Sequence, residues 1–151
     1  MKKKNALRSA LSKVQALWNK LGGRCIGAAE KCLEAFGVSL VTPCPTRWNS
    51  LYDSLFCFLK NHKSLENAND VLRSLGLPAL TKEDIELLSE YMSVMEPVAK
   101  VLDILQGEKE IFMGIGIVLP LLTKFKQQLT VREFPNLGLI RDRIVASVDK
   151  R

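Results

Sequence analysis

Apolar residues recur at steps of three and four along almost the whole chain, and this period most limits the folds open to it. Leu7, Leu11, Val14, Trp18 and Leu21 mark one face of a first helix, which the pair Gly22-Gly23 stops. A second helix is predicted over 24–36, with Gly37 as its terminator. The stretch VSLVTPCPTRW is irregular, because Pro43 and Pro45 lack amide hydrogens and restrict the residues before them. Within it, Val38 to Val41 is read as a short extended piece. No region is rich enough in strand patterns to build a sheet.

A third helix is predicted just after Trp48, with Asn49 or Ser50 as its cap; Ser50 and Asp53 have capping-box spacing. Leu51, Leu55 and Leu59 line one face, broadened by Tyr52, Phe56 and Phe58. A short fourth helix covers about 65–75 and stops at Gly76. Thr81, with Asp84 three residues later and the staple pair Leu80 and Ile85, starts a long helix that runs to about Leu105. Pro97 is expected to kink it. A second long helix is predicted over 111–129 with Pro120 inside it, and a basic helix over 137–148 closes the chain. Trp18, Met92, Met95 and Met113 read as core fillers.

These elements imply an all-α fold, an irregular multi-helix bundle with two long proline-containing helices. Both long helices are apolar over much of their surface and require several neighbours. Residues 1–37 read as an N-terminal helical hairpin, 38–49 as a proline-rich linker and 50–151 as a helical bundle, together one compact domain. With 151 residues, 47% apolar and 25% charged, the chain can bury a core rather than remain disordered.

The longest apolar run, Ile111 to Leu122, is too short to span a bilayer, so no membrane is expected as a partner. The net charge of +6 suits an acidic partner, nucleic acid above all, although Lys2, Lys3 and Lys4 and the C-terminal end supply much of it. Lys124, Lys126, Arg141, Arg143, Lys150 and Arg151 read as solvated. They form a patch only if the last helix folds back along the preceding one.

Cys25, Cys32, Cys44 and Cys57 have no close pair among them, and structural zinc sites bring ligands in close pairs. Buried reduced thiols are the expectation, with no metal and no cofactor. The lone histidine, His62, is expected near a helix end in solvent. No nucleophile elbow, HExxH, P-loop or dinucleotide fingerprint is present. The carboxylate pairs Glu83-Asp84 and Glu108/Glu110 stand at helix starts, where they favour the helix itself. No catalytic residue is assigned.

TRWNSLYDSL, Thr46 to Leu55, resembles the arginine-tryptophan motif of the hAT transposase superfamily, in which the pair precedes a small polar residue and an aromatic-bearing helix. Leu77 to Glu110 is similar to the family helix that carries a proline in its second half and ends in leucine-glutamine-glycine. Ile115 to Leu129 resembles the next family helix, with its leucine-proline-x-leucine segment. The three segments occur in the family's order.

The resemblance implies an all-helical insertion that interrupts an RNase-H-like domain. Two catalytic aspartates come from the sheet before that insertion, and a glutamate from a helix after it. The chain is expected to begin too late for the aspartates and end too early for the glutamate. It is also expected to hold no complete RNase-H-like sheet, BED finger or C-terminal dimerisation segment. Asp53, Glu83 and Asp103 match no motif for those positions, and such carboxylates must converge on divalent metals.

In the family, the tryptophan matching Trp48 is associated with a displaced base, and an indole face stacks on any base. Arg47 would then contact a phosphate or stack. The alternative is structural: Trp48 anchors the linker to the third helix and Arg47 bridges to a helix end. The leading expectation is a domesticated, non-catalytic protein-interaction or adaptor domain acting in the nucleus, or otherwise the cytoplasm. Its partner is another protein or a second copy. The alternative is a sequence-nonspecific DNA-binding remnant using Lys2, Lys3, Lys4, Arg47 and Trp48.

Overall fold

Amphipathic periodicity produces helices throughout the computed structural model, which describes residues 2–23, 27–47, 49–106 and 115–150. Trp48, Cys25, Met113, Arg151 and the carboxylates Glu108 and Glu110 lie outside the described residues, as does the Lys2 side chain. The elements are α1 (Lys2–Gly22), α2 (Ala28–Phe36), α3 (Ser50–Asn61), α4 (Leu65–Ser74), α5 (Lys82–Leu105), a 3₁₀ turn (Ile115–Ile117), α6 (Val118–Val131) and α7 (Gly138–Asp149). The fold is all-α, and no strand occurs among the described residues. The chain divides into two compact units, Met1–Ser89 and Glu90–Arg151, and the division falls inside α5.

In the first unit, α1 buries Leu7, Ala10, Val14, Leu17 and Trp18, while Leu11 and Leu21 are only half-buried. The buried stripe is therefore rotated from the expected one toward the small Ala10 and toward Leu17. Ala28, Cys32 and Phe36 follow at four-residue steps on α2. Gly37 ends that helix at φ 75°, where its amide donates to the Leu33 carbonyl. The Phe36 ring meets Phe58 of α3 edge-on at 5.9 Å, in the geometry that aromatic quadrupoles favour. α4 packs on α2 and closes with a Schellman motif. Leu77 N donates to the Leu72 carbonyl, Gly76 N donates to that of Arg73, and Gly76 supplies the left-handed φ of 68°.

The turn into α5 has two side-chain fasteners. Buried Asn69 donates through Nδ2 to the Leu80 carbonyl at 2.9 Å and accepts the Leu80 amide at 2.7 Å. One amide side chain thus satisfies both backbone groups of an interior loop residue. Next comes the expected capping box: the Asp84 amide donates to Thr81 Oγ1 at 3.1 Å, and the Thr81 amide donates to Asp84 Oδ2 at 2.9 Å. Lys13 of α1 adds a 2.6 Å ion pair to the same carboxylate oxygen.

The start of α3 departs from expectation at Ser50. Asn49 is its N-cap without a side-chain capping bond, and the Ser50 hydroxyl donates back toward the carbonyls of Cys44 and Arg47 at 2.6 and 2.8 Å. Ser50 therefore ties down the linker instead of closing a box with Asp53. Val38 to Val41 forms no regular element. Trp18 Nε1 and Ser54 Oγ are buried with no hydrogen-bond partner among the described residues.

In the second unit, α5 runs on through buried Pro97. A proline cannot bond the carbonyl four residues earlier. Arg132 Nη1 reaches that carbonyl, on Ser93, at 3.5 Å and the Glu96 carboxylate at 2.8 Å. Pro120 stands in the first turn of α6 rather than in its interior. A first-turn amide has no helical acceptor, so a proline there breaks no bond. Residues 111–114, where this helix was expected to begin, lie outside the described residues.

Burial raises the Asp84 carboxyl, but the Lys13 ammonium and the Thr81 amide and hydroxyl outweigh it and hold the group below its ordinary 3.8. A depressed folded-state value means the bonds stabilise the fold above that ordinary value, and are lost as the pH falls through the folded one. Asp84→Ala should lower stability by about 1–2 kcal/mol at neutral pH. Urea titrations repeated from neutral pH to below the ordinary value should find this difference shrinking as the acid is approached.

Candidate functional site

The arginine-tryptophan segment belongs to a folded turn in the first unit. Arg47 N donates to the Cys44 carbonyl at 3.1 Å, placing Pro45 at the second turn position, where its fixed φ is favoured. Ser50 N donates to the Arg47 carbonyl at 3.2 Å, and the Ser50 hydroxyl adds its two contacts. The Arg47 backbone is thereby fixed while the residue remains exposed. Cys44 is exposed beside it, its sulfur 3.2 Å from Thr46 Oγ1. The Thr46 hydroxyl and amide, with smaller help from Arg47, lower the thiol's pKa.

Lys2 opens α1, and Lys3 and Lys4 are exposed in its first turn, which contains no acidic residue. Cations there face the positive end of the helix dipole, an arrangement unfavourable to the helix and favourable to an approaching anion. Arg47 and the lysines thus stand on different elements of one unit. His62 stands at a helix end, as expected, but is not fully in solvent. It caps α3 half-buried, with Nδ1 bonded to the Leu59 carbonyl at 2.6 Å and its ring stacked on Phe58 at 6.1 Å.

Cys32 is buried, and burial raises its thiol. Among the described residues, no three His, Cys, Asp or Glu side chains are grouped to hold a metal ion. Asp53 and Glu83 stand in the first turns of α3 and α5, and Asp103 near the end of α5. No described helix is long and apolar enough to cross a membrane.

The second unit contains a feature the sequence reading missed. α6 and α7 pack together, and with the second half of α5 they enclose an open groove of about 740 Å³. Val101, Leu102, Leu122, Phe125, Ile140 and Ile144 are among its walls, with Arg143 at its edge. No residue of α7 is fully buried. The apolar side of this nominally basic helix therefore faces a space rather than a packed core. The only hint in the sequence was that both long helices carry more apolar surface than one neighbour can cover.

Glu90 fixes the start of α7. One carboxylate oxygen accepts the backbone amides of Asn136 and Leu137 at 2.7 and 2.9 Å, and the other accepts Asn136 Nδ2 at 2.8 Å. An anion at this position also complements the helix dipole. Lys126 pairs with Asp149 across α6 and α7. Arg141 pairs with Asp142, and its Nη1 donates to the Arg132 carbonyl at 3.3 Å.

No protein-family model matches the chain, and neither a curated protein nor a solved structure does.

Replacing Glu90 with Leu should strand two backbone amides and lower stability by about 2 kcal/mol, with Glu90→Gln recovering part of the loss. Chemical denaturation of the three proteins, followed by circular dichroism, measures this order directly.

Proposed function

We propose that the chain is a non-catalytic helical protein-interaction module of transposase descent, serving as an adaptor in nuclear or transcriptional regulation. The observation that carries this reading is the open apolar groove of the second unit. A groove walled by Leu102, Leu122, Phe125 and Ile144 leaves in water a surface of the kind that helical partners cover. The acidic residues support the non-catalytic part. Asp53 and Glu83 stand where helix dipoles favour them, on separate helices. Descent rests on the resemblance of the segments 46–55, 77–110 and 115–129.

A second reading is a DNA-binding remnant that uses Arg47, Trp48, Lys2, Lys3 and Lys4. The observation favouring it is the run of lysines that opens α1 without an acidic residue in its first turn, in the same unit as exposed Arg47. Such contacts would be strongly salt-dependent and indifferent to sequence.

Two measurements on the same proteins separate the readings. Affinity capture should retain partners on the wild type and release them from Ile144→Lys and Val148→Lys, each verified as helical by circular dichroism. Fluorescence anisotropy against duplex and single-stranded DNA at two salt concentrations should find weak binding that Arg47→Ala leaves unchanged. Tight, salt-sensitive DNA binding lost in Arg47→Ala and Trp48→Ala, with capture insensitive to the groove, would reverse the order.

A further inference from the structure

The cations of the second unit are unevenly satisfied. Between 118 and 150 the sequence contains six Lys and Arg against three Asp and Glu. Lys126, Arg141 and Arg132 are paired with Asp149, Asp142 and Glu96. Lys124, Arg143 and Lys150 are exposed and have no carboxylate partner among the described residues, and the last two stand together on α7 and its C-cap. Along α7 and its C-cap, Leu139, Arg143 and Lys150 fall at i, i+4 and i+11, on one stripe of the surface. Leu139 is 76% exposed, and on α6 Leu119, one turn before the groove residue Leu122, is 74% exposed. An apolar trough thus has Arg143 in its lining, with Lys150 about 10 Å further along the same stripe of α7, neither having a carboxylate partner among the described residues.

From this juxtaposition we infer that the groove receives an acidic amphipathic helix from a partner protein. This inference rests on the interaction-module reading and specifies the chemistry of the partner. Apolar side chains at i, i+4 and i+7 of the incoming helix enter between α5, α6 and α7. Carboxylates two turns apart on its flank meet Arg143 and Lys150. The wall that α7 contributes runs from Ile140 to Val148, roughly 12 Å, enough for two turns of a docked helix.

A single-headed anionic amphiphile fits less well, since one carboxylate cannot reach both cations. A second copy of α7 fits less well too, since its own acids, Asp142 and Asp149, are already paired. Rim charges of this kind set partner choice and association rate more than total affinity.

The test uses the whole chain and a side-chain-stapled peptide of roughly 15 residues, with leucines on one face and glutamates beside them. A twin peptide carries lysines in place of the glutamates, and Nile red, a neutral dye, reports the apolar groove independently. The acidic peptide should bind and lose affinity as salt rises, while the basic twin should not bind. The double variant Arg143→Glu, Lys150→Glu should weaken the acidic peptide about tenfold and admit the basic twin, with helicity and Nile red uptake retained.

Equal binding of the two peptides would overturn the inference and leave an uncharged helix as the occupant. So would dimerisation in sedimentation velocity that excludes the peptide, which would make a second copy the occupant. Absence of peptide binding while Nile red still enters would overturn the inference alone. Absence of both would remove the interaction-module reading along with it.

Discussion

A buried backbone group must have a partner, and this constraint governs the whole architecture. A chain of short-linked helices turns many helix ends and loop residues inward, where no neighbouring strand can bond them. Here side chains take that role. Asn69 satisfies Leu80, Asp84 satisfies the Thr81 amide, Glu90 satisfies the amides that open α7, and, nearer the surface, Arg132 approaches the Ser93 carbonyl that Pro97 does not bond. Three of these four fasteners involve α5. That helix is a member of both compact units, tied near its start by Asp84 to α1 and at Glu90 to the approach to α7.

The open groove is the other side of the same economy of elements. The second unit has roughly sixty residues, a size at which a chain buries only part of its apolar surface. Two helices and half of a third enclose Phe125, Leu129 and Leu137, but cannot also cover Leu119, Val131 and Leu139. Charge is distributed to match. Glu96, beside Pro97, is drawn below its ordinary pKa first by Lys100 and then by Arg132. Arg143, in the lining of the groove, has no such neighbour among the described residues.

Local signals in the sequence translated well into structure. Thr81 and Asp84 form their box because both partners lie within one turn, and Gly37 and Gly76 end helices because each must adopt a positive φ. The Trp18 stripe was legible, though rotated, since periodicity records apolar character and not which neighbour presses hardest. Ser50 was misread because the carbonyls of Cys44 and Arg47 competed for its hydroxyl, and those come near only once the linker has turned. Pro120 was misplaced because proline is as much at home in a first turn as it is disruptive in an interior. The Asn69 and Glu90 pairings bring together residues far apart in sequence, beyond any local pattern. The groove was least legible of all, since it arises from the way α5, α6 and α7 come together in space.

The turn at Pro45 also has a covalent-chemistry consequence. Its Thr46 hydroxyl and backbone amides favour the thiolate of exposed Cys44, whereas burial holds Cys32 in the thiol form. Alkylating reagents attack thiolates, so exposed Cys44 should react faster than buried Cys32. The chain therefore carries a natural attachment point beside Arg47. A fluorophore placed there would sense the surroundings of the linker without disturbing the aromatic contact that joins α2 to α3.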